Sequence, residues 1–242
     1  MKAVLLTDLD DTFFQSLRSL GHQDELTTAA LDRHGNPICF QTNKQRWLNH
    51  LLTQFDEVIP VTGRSSESLE RVVTPKFTSF RIASHGAIIL NPQGAMLEGW
   101  YQTIAEEVQE WSRPLEECSE ILVRWQEQHM SEVRVKRVFD QNILTYLSVK
   151  GTEIHLKTLV DLLESQQREY TIHHNQRNLA VLPSYTSKAR AVSYLINHLQ
   201  NLYTEPLLFL GAGDSVTDVP FLKLCDFALT PKASLIHKVL WS

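Results

Sequence analysis

Ala3-Val4-Leu5-Leu6 runs almost directly into Asp8-Leu9-Asp10-Asp11-Thr12. A short apolar run closed by a polar turn reads as a buried strand, and this turn carries carboxylates two positions apart. The same pattern recurs twice. Val58-Ile59 leads to Val61-Thr62-Gly63-Arg64, and Leu207-Leu208-Phe209-Leu210 leads to Gly211-Ala212-Gly213-Asp214-Ser215-Val216-Thr217-Asp218. Lys188 opens a helical segment, Ala189 to Leu202, with Ser187 as its expected N-cap. In an open parallel α/β sheet, ligands bind just beyond the carboxyl ends of the strands. The chain is therefore expected to gather carboxylates, a hydroxyl with a glycine, and a lysine at one sheet edge.

Further strands are expected at Phe80 to Ala83 and Phe227 to Leu229, and helices around Leu48 to Phe55 and Ser65 to Val73. A hairpin is expected around Asn91-Pro92-Gln93-Gly94. Alternating strands and helices predict an α/β fold with a doubly wound, Rossmann-like parallel sheet. The middle of the chain differs. Trp100, Ile104, Val108 and Trp111 share a helical face. Pro114 is expected to break that helix before it resumes through Ile121 and Trp125. Two strands, Val133 to Phe139 and Ile143 to Val149, come next, then a helix capped by Thr152, then Tyr170 to His174 and Leu179 to Leu182. This order, αββαββ, predicts an α+β cap at residues 98–176, inserted into a core of residues 1–97 and 177–242. Trp100, Trp111 and Trp125 are expected in the cap core. Between Phe13 and Phe40, the turn signal His34-Gly35-Asn36-Pro37 predicts a hairpin flap beside the first carboxylates.

The 242 residues carry a net charge of −5, so no basic field is available for nucleic acid or an anionic membrane. Three scattered cysteines, Cys39, Cys118 and Cys225, argue against a disulfide framework and for a reducing compartment. Asp8 ends the first apolar run too early for a signal peptide. A cytoplasmic setting is expected.

If Asp8, Asp10, Asp214 and Asp218 meet at adjacent strand ends, the cluster needs a counter-cation. Two carboxylates about 4 Å apart repel by roughly 4 kcal/mol at an effective dielectric of about 20. Hard oxygen donors suit Mg²⁺, whereas zinc favours Cys and His. Asp8 can attack phosphorus and form an aspartyl-phosphate. Asp10 can protonate the leaving alcohol and then deprotonate the attacking water. Thr62 and the Gly63 amide can hold phosphoryl oxygens, and Lys188 can place a positive charge near phosphate and Asp8. Alone, each segment is an ordinary strand-end turn or helix start; together, in this order, they describe one phosphoryl-transfer site.

The four segments resemble the motifs of the haloacid dehalogenase-like superfamily. Asp8 to Thr12 is similar to its first motif, Thr62-Gly63-Arg64 to its second, Lys188 to its third, and Gly213-Asp214 through Asp218 to its fourth. The inserted module and Ser84-His85-Gly86-Ala87-Ile88 resemble the large-cap subgroup containing Cof-type, sucrose-phosphate and mannosyl-phosphoglycerate phosphatases. The resemblance implies Mg²⁺ held by Asp8, the Asp10 backbone carbonyl and Asp214, with Asp218 in support. Arg64 and His85 are further candidates for substrate contact. Two positions depart from the family pattern. Asp11 stands where glycine is usual, and Thr217 where asparagine commonly precedes the last aspartate.

The reading is a Mg²⁺-dependent phosphatase for a small phosphorylated metabolite, a sugar or sugar acid, with no nucleic-acid or membrane partner. A phosphomutase would use the same groups, and a phosphate-binding module without turnover is the non-enzymatic alternative. The cap is expected to act as a lid that selects substrate, through some of Arg134, Lys136, Arg137, Lys150, His173, His174 and Arg177. Adjacent strand residues face opposite sides, so only one of His173 and His174 can face a ligand.

Overall fold

A computed structural model describes residues 1–20, 25–52, 54–130, 132–166, 168–174 and 177–240. In chain order it begins with β1 (Lys2–Thr7), β2 (Gln15–Ser16), α1 (Leu17–Leu20), β3 (Thr27–Leu31), β4 (Pro37–Gln41), α2 (Asn43–Leu52), β5 (Glu57–Pro60), α3 (Ser66–Glu70), β6 (Arg81–Ala83) and β7 (Ile88–Leu90). Next come α4 (Glu98–Gln128), β8 (Arg134–Asp140), β9 (Ile143–Lys150), α5 (Glu153–Ser165), β10 (Thr171–His174) and β11 (Asn178–Leu182). The chain closes with α6 (Lys188–Leu202), β12 (Leu207–Ala212), α7 (Val219–Leu222), β13 (Phe227–Leu229) and α8 (Leu235–Leu240). These elements form two compact units, Met1–Trp100 with Ser187–Ser242, and Tyr101–Thr186.

The first unit is built on a parallel sheet ordered β13-β12-β1-β5. β1 is central, and Val4, Leu5 and Leu6 are at most 1% exposed. A strand buried on both faces reads as a continuous apolar run, which is why Ala3 to Leu6 does not alternate. Leu5 pairs in register with Leu210 and Val58, and Thr7 with Ala212 and Pro60. The next residues of all three strands therefore leave the sheet at one edge. A bridge from Val61 to Ile82 adds the antiparallel β6–β7 pair beyond β5. Helix α6 buries Ala191, Val192, Leu195 and Leu199 along one face, and its Ser187 cap accepts the Arg190 amide. The flap is a small antiparallel sheet, β2-β4-β3, whose β3–β4 turn is tied by Asp32 to the amides of His34 and Asn36. Residues 21–24 of this predicted flap lie outside the described residues.

In the second unit, the antiparallel sheet β10-β11-β9-β8 is covered on one face by α4 and α5. Leu115, Cys118 and Leu122 of α4 meet Leu156, Leu159 and Leu163 of α5 over Leu147, Val149, Leu179 and Val181. Three expectations are corrected. Pro114 does not break α4, which runs unbroken from Glu98 to Gln128. The carbonyl that proline leaves without a donor belongs to exposed Glu110, where water can take the bond, and the buried face from Leu115 onward keeps its packing. Trp100 lies in the first unit, with its indole nitrogen donating to the Ala87 carbonyl. The second unit extends to Thr186, because β11 pairs with β9 and the Thr186 hydroxyl donates to the Thr145 carbonyl. The expected module end, residues 175 and 176, lies outside the described residues.

Register sorts the polar residues of this sheet. Lys136, Ser148, Ala180 and His173 lie directly opposite one another across the four strands, so they share a face. Arg137 belongs to the other face and donates to Ser119 of α4. The three cysteines are free, and among the described residues no helix is long and apolar enough to cross a membrane.

The link between α6 and the sheet edge depends on Gly86. It has φ 99°, and a Cβ there would lie 2.3 Å from the Ser187 carbonyl oxygen and 2.8 Å from the Lys188 nitrogen. Gly86→Ala should therefore cost about 2 kcal/mol or more of stability in denaturant unfolding. A variant as stable as the parent would show that this backbone approach is not a constraint.

Candidate active site

Asp8 is the first residue beyond β1, and its amide donates to the Ala212 carbonyl at 2.8 Å, locking it to the end of β12. Its carboxylate is buried. Lys188, at the start of α6, places its ammonium 2.7 Å from Asp8 Oδ1 and 2.7 Å from Asp218 Oδ1. The other oxygen of Asp218 accepts the Ser215 amide at 3.0 Å. This is half of a capping box, in which the Ser215 hydroxyl accepts the Asp218 amide in return; that hydroxyl also accepts the Thr217 amide. Gly213 makes room for that turn, since a Cβ there would lie 2.8 Å from the Asp218 Cβ. Asp214 is the next residue. Its Oδ1 lies 3.3 Å from the Thr12 hydroxyl, which is also 3.5 Å from Asp8 Oδ2. One ligand atom each from Asp8, Asp214 and Asp218 lies within 4.8 Å of the other two.

Three carboxylates thus share one ammonium. Burial pushes the Asp8 carboxyl up to about 7; Lys188 opposes that shift, and Asp218 adds to it. Burial, then the charges of Asp218 and Asp11, push Asp214 up to about 6. Burial alone would lower the Lys188 pKa, but Asp8 and Asp218 outweigh it and raise it, so the lysine stays charged.

Asp10 is placed differently. Its carboxylate is not part of that close group and accepts from Arg64 Nε at 2.7 Å and Nη2 at 2.6 Å. The expectation of four clustered carboxylates is corrected to three. The fork of Arg64, a candidate for substrate contact, is committed to Asp10. Asp11 adopts φ 62°, the left-handed region where glycine is free of strain and aspartate is among the better tolerated side chains.

Thr62 and Gly63 follow β5. The Thr62 amide donates to Ile82, its carbonyl accepts from the His85 amide, and its hydroxyl accepts from the Arg64 amide at 3.1 Å. A Cβ on Gly63 would fall 2.4 Å from His85 Cε1, so the imidazole packs directly over the glycine. Ser84 and His85 both have positive φ, at 48° and 55°. The structure thus forms three adjoining groups: Asp8 with Asp214, Asp218 and Lys188; Asp10 with Arg64; and Thr62 with Gly63 and His85.

Three contributors have no role assigned by the sequence reading. Thr12 stands between two carboxylates. Ser215 holds Asp218, and the spacing of Ser215 and Asp218 is a legible capping signal. Cys39 arrives from β4 with its sulfur 3.1 Å from Arg64 Nη2, and no local pattern announces it.

Residues 1–227 match the family described as sucrose-6F-phosphate phosphohydrolase. No curated protein matches the chain. Among solved structures, the C-terminal domain of a Candida albicans trehalose-6-phosphate phosphatase aligns with TM-score 0.60 at 16% identity, covering 92% of this chain and 73% of that one. A Synechocystis sucrose-phosphatase, solved in complex with sucrose and phosphate, aligns with TM-score 0.55 at 16% identity, covering 99% and 86%. A haloacid dehalogenase-like hydrolase from Bacteroides thetaiotaomicron gives 0.54 at 12% identity, covering 99% of each chain. At these identities the structural likenesses speak for the fold.

The crowding of carboxylates has a measurable consequence without metal. Asp214 titrates near 3.8 in an unfolded chain and at about 6 here. Its charge therefore destabilises the fold fully above about pH 6, and the penalty disappears as the pH falls towards 4. Asp214→Asn should stabilise the chelated protein by about 1 kcal/mol at pH 8, after allowance for the solvent that reaches this group, and by nothing near pH 4. A gain that is equal at both pH values, measured by denaturant unfolding, would contradict the charge explanation.

Proposed function

We propose that this chain, which belongs to the sucrose-6F-phosphate phosphohydrolase family of haloacid dehalogenase-like phosphatases, hydrolyses a small phosphorylated sugar or sugar acid through an aspartyl-phosphate, with Mg²⁺. The observation that carries this reading is the buried Asp8 carboxylate at the end of the central strand, 2.7 Å from Lys188. A nucleophilic carboxylate must stay ionised inside the protein, and a close ammonium favours that form.

The cation is supported by the donor set. Asp8 Oδ2 and Asp214 Oδ1 have one Thr12 hydroxyl between them, at 3.5 and 3.3 Å, and a single O–H can donate to only one. Hard, under-satisfied carboxylate oxygens fit Mg²⁺, which would neutralise charge on the phosphoryl group when bound. Asp8 and Asp214 would hold it, with the backbone carbonyl of Asp10. Asp218, engaged by Lys188 and Ser215, would support from behind.

In the first step, an Asp8 oxygen bonds to phosphorus as the bond from phosphorus to the sugar oxygen breaks. The leaving oxygen keeps the electron pair and takes a proton from the Asp10 carboxyl. In the second step, water bonds to phosphorus and gives its proton to Asp10. The bond to Asp8 then breaks, returning the carboxylate and releasing phosphate. The Thr62 hydroxyl and the Gly63 amide would hold phosphoryl oxygens, and Lys188 would offset charge on the phosphoryl group and on Asp8. Membership of a phosphohydrolase family favours this course over phosphoryl migration or a module without turnover.

Asp8→Asn should abolish phosphate release in a correctly folded protein. Asp10→Asn should lower turnover of a sugar phosphate by about 10²-fold or more, and that of p-nitrophenyl phosphate far less, because nitrophenolate needs little protonation. Phosphate-release kinetics on both substrates check this. Activity in Asp8→Asn, or equal losses in Asp10→Asn, would overturn the respective role.

A further inference from the structure

Asp10 sits at the tip of the turn after β1, with its side chain 49% exposed. Nothing in its own turn fixes the carboxylate, because Leu9 points into the core and Asp11 takes the left-handed conformation. A general acid must nevertheless present its proton within about 3 Å of the leaving oxygen. The fixing comes from Arg64, whose Nε and Nη2 reach both oxygens at 2.7 and 2.6 Å. Such a fork sets the plane of the carboxylate as well as its distance.

Arg64 is itself fixed. Its side chain is only 11% exposed, its Cζ lies 5.0 Å from the centre of the Phe14 ring, and Nη2 also reaches Cys39 Sγ at 3.1 Å. Its amide donates to the Thr62 hydroxyl, and its carbonyl accepts from the Ser84 amide. One residue thus ties Asp10 to the Thr62–Gly63 loop, the flap and the Ser84–His85 turn. An exposed ion pair would hold little orientation, but a forked pair with a nearly buried, twice-anchored arginine does.

We propose that Arg64 is a positioning residue for the leaving-group step: it holds the Asp10 carboxyl in the orientation from which its proton passes to the leaving alcohol. This rests on the reading of Asp10 as the acid. Asp10 Oδ1 also accepts from Cys39 Sγ at 4.0 Å, whereas Oδ2 has a lone pair beyond its bond to Nε, and the transferred proton is carried there. When the bond from phosphorus to oxygen breaks, the leaving oxygen takes that proton, and Asp10 remains as a carboxylate on the fork.

The test compares phenyl phosphate with p-nitrophenyl phosphate, two substrates of similar shape whose leaving groups differ in basicity, using the full chain with Mg²⁺. Arg64→Met should lower kcat on phenyl phosphate at least about tenfold more than on p-nitrophenyl phosphate, with KM nearly unchanged. Arg64→Lys keeps the charge without the fork and should show the same selectivity to a smaller degree, which covers the case in which Arg64→Met fails to fold. Arg64→Met combined with Asp10→Asn should be no worse on phenyl phosphate than Asp10→Asn alone. Equal losses on both substrates would mean a purely structural role, and a raised KM with kcat kept would mean a substrate contact; either overturns the proposal. If Asp10→Asn itself shows no selectivity, the acid reading fails first. If Asp10→Asn is selective and Arg64→Met is not, this inference alone fails.

Discussion

One ammonium holds the centre of this site together. Lys188 lies 2.7 Å from both Asp8 and Asp218, in a place where three carboxylates converge out of water. Without it, buried like charges would drive the group towards protonation, and a protonated Asp8 could not attack phosphorus. The surrounding architecture can be understood as the means of bringing that lysine to that point. Parallel pairing of β1 with β12 sets Asp8 beside the Gly213–Asp218 turn. Gly86 lets the β6–β7 loop press against the start of α6, which presents the lysine. Gly213 lets Asp218 fold close beneath its own strand end.

The site is therefore over-negative by design of its backbone, and the excess has a purpose in the proposed chemistry. Lysine occupies Asp218 and one side of Asp8, and the Ser215 amide occupies the rest of Asp218. Among the described residues, Asp8 Oδ2 and Asp214 Oδ1 share the Thr12 hydroxyl. The same carboxylates that weaken the metal-free fold are those a hard cation would satisfy, so metal affinity and fold stability are linked. Asp10 adds its charge to the upward shift of Asp8 but has Arg64 as its own counter-charge, which holds in place a group whose proposed task is to move a proton.

The sequence disclosed what depends on local pattern. Apolar runs closed by Asp, Thr-Gly and Gly-Asp turns located three strand ends, and parallel topology then dictated that they meet. Ser187 and Thr152 were legible as caps because capping is a local signal. Contacts that depend on tertiary approach were not legible. Nothing near Arg64 in sequence indicates that its fork spans 54 positions to Asp10, or that Cys39 arrives from the flap to meet it. Pro114 misled because a helix held by a well-buried face tolerates one missing bond on its solvent side. Trp100 misled because helical spacing shows a shared face but not which core that face enters.

The proposed chemistry requires a covalent bond between phosphorus and one carboxylate. The direct measurement is to quench the Mg²⁺-loaded enzyme during turnover, reduce any acyl-phosphate with borohydride, and locate the product by peptide mass spectrometry. Homoserine is expected at position 8 and at no other aspartate. Homoserine at Asp10 or Asp214, or no reduced residue in enzyme that is demonstrably turning over, would contradict that chemistry.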